Sequence, residues 1–236
     1  NTGAIDEIPS LVSIGRSHSM WIHADAAYGG FFRLAGAGPA LMPGIEECDS
    51  ITLDPHKGMF LPYGTGCLLV RDPQTLARAH SMDAEYLHDV RAQEQPNFSD
   101  LSPELSRDFR GLRIWLPLVL HGVDAFKAAI EEKLMLTRWA YDRLRTDSRF
   151  EVLGEPQLTV IAFRLKGAGP ASDTLNEDLQ RRVNARGRVF LSSTKLDGRY
   201  VIRLCVLSFR THLDRVRDAV EAIQAEADEV LARRSA

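Results

Sequence analysis

The 236-residue chain reads as an α/β protein, a mostly parallel sheet covered on both faces and followed by a smaller α+β unit. Three observations predict this. Apolar runs at Met20–Ile22, Ser50–Leu53 and Gly66–Val70 alternate with helical or turn-rich intervals, the strand, helix, strand order of a parallel sheet. A polar stretch from His80 to Pro103, with little apolar periodicity, then breaks the pattern. Beyond it, two helical stretches lead into four further apolar runs and two helical segments. The resulting division is residues 1–112 for the larger unit and 113–236 for the smaller.

Each element has its own reason. Asn1 to Ala4 is small and polar and predicts a turn. Ile5, Ile8, Leu11, Val12 and Ile14 fall on one side of a helix. The first strand runs through Ile22 to Asp25, after which Gly29 and Gly30 predict a sharp turn. Ala35 to Ala40 lead into a helix around Leu41 to Glu47, and a second strand reaches Asp54-Pro55-His56-Lys57. The third strand, Gly66 to Val70, ends at Arg71-Asp72-Pro73. Helical spacing marks Leu105 to Leu120 and Val123 to Leu144. The last unit has expected strands at Phe150–Leu153, Leu158–Leu165, Val189–Ser192 and Tyr200–Leu207, with helices at Ser172–Arg186 and Leu213–Ala232.

Composition narrows the function. A chain that is 44% hydrophobic and 26% charged can bury a substantial core, and a net charge of -3 gives no broad basic field for nucleic acid or an anionic membrane. No apolar run is long enough to span a bilayer, and no secretion signal opens the chain. Cys48, Cys67 and Cys205 are odd in number and widely spaced, which points to buried thiols in a reducing, cytoplasmic setting rather than to disulfides or a metal site. Asn1-Thr2-Gly3 reads as the interior of a longer protein.

The chemistry concentrates between His23 and Lys57. In open α/β sheets ligands bind beyond the carboxyl ends of strands, so Asp25 and Lys57 are expected to face one crevice. An amine and a carboxylate placed this way suit pyridoxal 5'-phosphate: the amine forms a Schiff base with the aldehyde, and the acid pairs with the ring nitrogen so that the ring accepts electrons. In isolation, a lysine after a strand is an ordinary surface charge and an aspartate at a strand end an ordinary turn or helix cap.

The segments His23-Ala24-Asp25-Ala26-Ala27-Tyr28-Gly29-Gly30, Asp49-Ser50-Ile51, Asp54-Pro55-His56-Lys57 and Phe109-Arg110-Gly111-Leu112-Arg113-Ile114-Trp115 resemble the group II pyridoxal-phosphate decarboxylases, with the aromatic-amino-acid branch nearest. The resemblance covers the carboxyl-terminal half of such an enzyme. It implies a fold-type-I (aspartate-aminotransferase-like) large domain with a small carboxyl-terminal domain, a homodimer, and decarboxylation of an L-amino acid to an amine and CO2. It implies Lys57 as the Schiff-base lysine, Asp25 as the partner of the ring nitrogen, Ala27 beneath the ring, Thr2 as a nearby hydroxyl and His56 beside the imine and phosphate. A core role for His56 is the alternative.

Tyr86, 29 positions after Lys57, matches the family's loop tyrosine that protonates the α-carbon; related aldehyde synthases have phenylalanine there. Ser106 matches a position that sorts aromatic side chains. Arg203 matches an arginine near the substrate or mobile loop, with a structural ion pair as the equal alternative. Asp54 departs from the asparagine common near the phosphate, and Gly58 from the usual bulky residue, so the adjoining pocket is expected to differ. The family's phosphate-binding loop and ring-stacking histidine have no counterpart in this chain, so the chain alone is expected to bind cofactor poorly. Aldehyde synthesis or transamination on the same cofactor, and a non-catalytic α/β module, stand as the other readings.

Overall fold

The computed structural model describes residues 1–80, 98–167 and 170–235. Helix α1 (Ile8–Ser17) carries Pro9 in its first turn, where no N–H is needed, and Arg16 in its last. It packs on the approach to strand β1 (His23–Asp25) because Gly15 has no side chain: a Cβ there would stand 2.8 Å from Ile22 Cγ1. A 3-10 turn at Gly30–Leu34, helix α2 (Gly38–Leu41) and a second 3-10 turn at Ile45–Glu47 come next. The helix expected over Leu41 to Glu47 is thus split, with Gly44 at φ 79 dividing it.

Strand β2 (Ser50–Leu53) pairs parallel with β1, His23 opposite Ser50 and Asp25 opposite Thr52. The one-turn helix α3 (Pro55–Gly58) reverses the chain into β3 (Cys67–Val70), which pairs antiparallel with β2. The sheet expected to be mostly parallel is therefore mixed over its described strands, in the order β1-β2-β3. The reason lies in the connection. A parallel return needs a crossover long enough to run back along the sheet, and a single helical turn only folds the chain over.

After helix α4 (Pro73–His80), α5 (Leu112–Thr146) links the two halves of the molecule. It breaks at Gly122, whose φ of 72 and ψ of 163 suit only glycine, and this matches the gap in apolar spacing between Leu120 and Val123. Residues 105–111, expected to begin the first helix, are irregular and cross-tied by Arg110 to Glu104 and Asp108.

The remaining strands are β4 (Phe150–Val152), β5 (Val160–Leu165), β6 (Ser192–Leu196) and β7 (Arg199–Cys205). They form an antiparallel sheet, β4-β5-β7-β6, packed against α6 (Pro170–Ala185) and α7 (Leu213–Ser235). The strand expected at Val189–Ser192 begins three residues later, at Ser192. Asp197 and Gly198, at φ 50 and 74, make the two-residue turn that fixes the β6–β7 register.

Two cores result. The larger, around Leu144, Phe163, Leu179, Ile202 and Ile223, fills the carboxyl-terminal half; the smaller gathers Phe32, Met42 and Ile45 with Ile130 of α5 and Leu158. Helix α5 contributes to both. No helix among the described residues is long and apolar enough to cross a membrane.

Candidate active site

Parallel pairing of β1 with β2 delivers their carboxyl ends to the same side, so Asp25 closes one strand where Asp54, His56 and Lys57 come directly after the other. Ala27 ties the two ends together. Its N–H donates to Asp25 Oδ1 at 3.2 Å, and its carbonyl accepts from the Asp54 N–H at 3.3 Å. Below them His23 bridges the strands, with Nδ1 2.7 Å from Ser50 Oγ and Nε2 3.2 Å from Thr52 Oγ1.

Lys57, on α3, is partly exposed. Its Nζ donates to Asp54 Oδ2 at 2.8 Å, and His56 Nε2 stands 3.8 Å from the same oxygen. Asp54, notable in the sequence only as a departure, thus pairs with Lys57 and lies close to His56. The His56 ring lies 4.7 Å from that of Tyr63, and its Nδ1 is 3.4 Å from the Thr65 carbonyl.

The expected residues divide between two neighbouring recesses. Thr2, Asp25 and Arg203 line one of about 680 Å³ that also touches Tyr28 and Leu158. His56 and Lys57 line another of about 640 Å³, walled by Phe60, Tyr63, Leu207 and Phe209. Asp25 and Lys57, expected to face one crevice, thus line different recesses, while the Ala27–Asp54 hydrogen bond joins the two strand ends. Asp25 is exposed and, among the described residues, makes no ion pair.

The other expected residues are placed less centrally. Thr2 Oγ1 accepts from the Ala4 N–H at 3.4 Å. Arg203 donates from Nε to the Asn1 carbonyl at 2.5 Å and from Nη1 to Ser192 Oγ at 3.2 Å, so it holds the start of the chain against the small sheet. Ser106 lies in an exposed bend away from both recesses. Tyr86 falls outside the described residues.

Gly58 and the Gly29–Gly30 pair are explained by space. A Cβ on Gly58 would approach Phe31 Cβ to 2.7 Å, and one on Gly30 would meet Leu53 Cδ2 at 2.1 Å. The glycines after Asp25 therefore serve close packing between the strands; the sharp turn expected there needs no positive φ at either.

Two further groups bear on the site, neither given a role by the sequence. The Tyr28 hydroxyl stands 2.5 Å from Thr159 Oγ1 and 3.4 Å from Cys205 Sγ, pinning the loop after Asp25 to the carboxyl-terminal sheet. Burial and the neighbouring Cys205 thiol push its phenol well above the ordinary range, so it stays neutral. The loop 207–211 is brought against Lys57 by the end of β7 and has no motif of its own, so only its place directly after that strand could have marked it.

Set against known proteins, residues 1–166 match the family model described as the pyridoxal-dependent decarboxylase conserved domain. The chain is 37% identical, over 98% of its length, to an aromatic-L-amino-acid decarboxylase of Bacillus atrophaeus, and covers 49% of that protein. It superposes on Oryza sativa tryptophan decarboxylase, solved with PLP and tryptamine, at TM-score 0.88 and 28% identity, covering 97% of this chain and 49% of that one. Against Catharanthus roseus tryptophan decarboxylase in complex with L-tryptophan the TM-score is 0.86 at 29% identity, with 98% and 49% covered. The chain thus spans about half the length of these relatives. With the lysine and aspartate motifs at the ends of paired strands and the family model matched along most of its length, the chain belongs to the pyridoxal-dependent decarboxylase family.

Proposed function

We propose that this chain carries the lysine-bearing part of an enzyme that removes the α-carboxylate of an aromatic L-amino acid, yielding the amine and CO2, with pyridoxal 5'-phosphate as cofactor. The observation that carries the reading is the delivery of Asp25 and Asp54-Pro55-His56-Lys57 to one side of the sheet by parallel pairing of β1 and β2.

The donor set fits the cofactor. Asp25 offers an exposed carboxylate at a recess, Lys57 a partly exposed amine held by Asp54, and Ala27 adds no bulk between the strand ends. When bound, pyridoxal 5'-phosphate supplies an electron sink for the pair left behind as CO2 departs. Asp25 would hold a proton on the ring nitrogen, and its anchor on the Ala27 N–H fixes the carboxylate for that task. Lys57 would hold the cofactor through its amine after exchanging its contact with Asp54. His56, oriented by the Thr65 carbonyl and the Tyr63 ring, would stand beside the phosphate, and Thr2 would contribute a hydroxyl.

Tyr86, assigned from sequence alone, would return a proton to the α-carbon. Ser106 and Arg203 would bear on substrate choice, Arg203 through its hold on Asn1. We further assign a division at residues 112 and 113 with α5 shared, a homodimer, and a cytoplasmic location. Leu112, Trp115, Leu116, Val119 and Val123 give α5 an exposed apolar face for the dimer, and the three free cysteines suit a reducing compartment.

Carboxyl-labelled L-tryptophan or L-tyrosine given to the full-length protein tests the activity. Labelled CO2 with one equivalent of amine is expected. Stoichiometric peroxide and ammonia would assign aldehyde synthesis instead, and a keto acid transamination. Borohydride reduction followed by peptide mapping should place the pyridoxyl group on Lys57; an absorbance band that never forms would leave the non-catalytic module.

A further inference from the structure

Lys133 is fully buried on α5, yet none of the chemistry above uses it. Its Nζ donates to the Thr211 carbonyl at 2.6 Å, the Phe209 carbonyl at 3.3 Å and Glu132 Oε2 at 2.7 Å, which occupies all three N–H donors of an ammonium group. Two of these partners lie on the loop after β7. The other oxygen of Glu132 binds His212 Nδ1 at 2.7 Å, so the next residue of that loop is tied down as well. Burial alone would raise the Glu132 carboxyl, but hydrogen bonds from His212 and Lys133 outweigh it and hold the group below its usual range.

This clamp holds one wall of the Lys57 recess. Leu207 and Phe209 line that recess opposite His56 and Lys57, and the Phe209 ring lies 5.9 Å from Phe60. The backbone between them turns on the Thr211 N–H, which donates to the Ser208 carbonyl at 3.0 Å. A buried cation is retained where its hydrogen bonds are fully made, and removing it leaves carbonyl oxygens unpaired. Here those oxygens belong to the segment that carries Phe209.

We infer that Lys133 is a positioning residue: it fixes the 207–211 loop so that Phe209 and Phe60 form the aromatic wall that seats the substrate side chain next to Lys57. This rests on the decarboxylase reading for its substrate, whereas the clamp itself does not. A methionine in place of Lys133 matches its reach and brings no donors. Phe209→Leu removes the ring and leaves the clamp intact.

The test measures amide hydrogen exchange and steady-state kinetics on the full-length protein. In Lys133→Met, exchange at the Thr211 amide is expected to accelerate at least about tenfold relative to β7 amides, because the opening becomes local. KM for an aromatic L-amino acid is expected to rise at least about threefold with kcat changed less than about twofold, the pattern of lost substrate seating. Phe209→Leu is expected to reproduce the KM change with loop exchange close to wild type, and Lys133→Arg to restore part of it. Uniformly faster exchange with unchanged KM in Lys133→Met, or an unchanged KM in Phe209→Leu, would overturn the assignment. If wild-type protein decarboxylates no aromatic amino acid, the functional reading fails while loop exchange still decides the clamp. Should Lys133→Met not fold, Phe209→Leu decides the wall.

Discussion

Replacing Tyr28 by phenylalanine removes one oxygen from the junction between the candidate site and the carboxyl-terminal sheet. That oxygen is the partner of Thr159 Oγ1, and Thr159 is fully buried on the approach to β5. Water cannot replace it without opening the junction, so the change strands a buried hydroxyl, at a cost of about 1–3 kcal/mol. With a urea slope near 2 kcal/mol/M, a loss of about 2 kcal/mol moves the unfolding midpoint down by about 1 M. Thr159→Val in the same background removes the stranded group, so the double variant should recover part of the loss, with a coupling of about 0.5–3 kcal/mol. Equilibrium urea unfolding followed by circular dichroism on all four proteins measures the cycle. If Tyr28→Phe lies within about 0.5 kcal/mol of wild type, the range of an ordinary surface change, the hydroxyl does not join the two units and the reasoning fails.

Lys57→Ala should leave stability within about 1 kcal/mol, since the lysine side chain of its ion pair with Asp54 is more than one-third exposed, while abolishing borohydride-fixed pyridoxal phosphate; calorimetry and mass spectrometry read the two outcomes. Gly58→Leu should destabilise by about 1–3 kcal/mol, because its Cβ already meets Phe31 at 2.7 Å, and a melting temperature equal to wild type would refute the packing argument. Hydrogen bonds from Arg149 hold the Asp147 carboxyl below its usual range, so its contribution is present above the unfolded value of about 3.9 and is lost as pH falls further, through the folded value. Asp147→Asn should therefore lower stability at pH 7 and flatten the loss between about pH 4 and stronger acid, as measured by urea unfolding across that range.

Much of the site is legible in the sequence because local chemistry marks it. Lys57 and Asp25 each come after a short apolar run, and both are placed by the strands those runs form. Direction of pairing is less legible. Nothing in Cys67-Leu68-Leu69-Val70 says whether the strand runs with or against β2; that depends on how far the intervening chain can travel. Strand β6 escapes the apolar pattern because Ser192, Ser193, Thr194 and Lys195 are polar, while Val189 to Leu191 look more like a strand. The Asp197-Gly198 pair is the usable signal. Lys133 has no signature at all. A lysine on a helix is ordinarily solvated, and its partners at 209 and 211 lie 76 and 78 positions away, a proximity that only the packing of α5 against the loop creates.

The unequal division of apolar burial has a consequence for how the site evolves. Among the described residues, twenty buried hydrophobic side chains form the carboxyl-terminal core, against seven in the cluster beneath Asp25. Resistance to unfolding therefore resides largely where no catalysis is proposed, and the strand ends bearing Asp25 and Lys57 draw on a thin reserve of their own. Exchanges around the candidate groups can then be made at little risk to the rest of the molecule, so long as the Tyr28 hydroxyl continues to moor one region to the other.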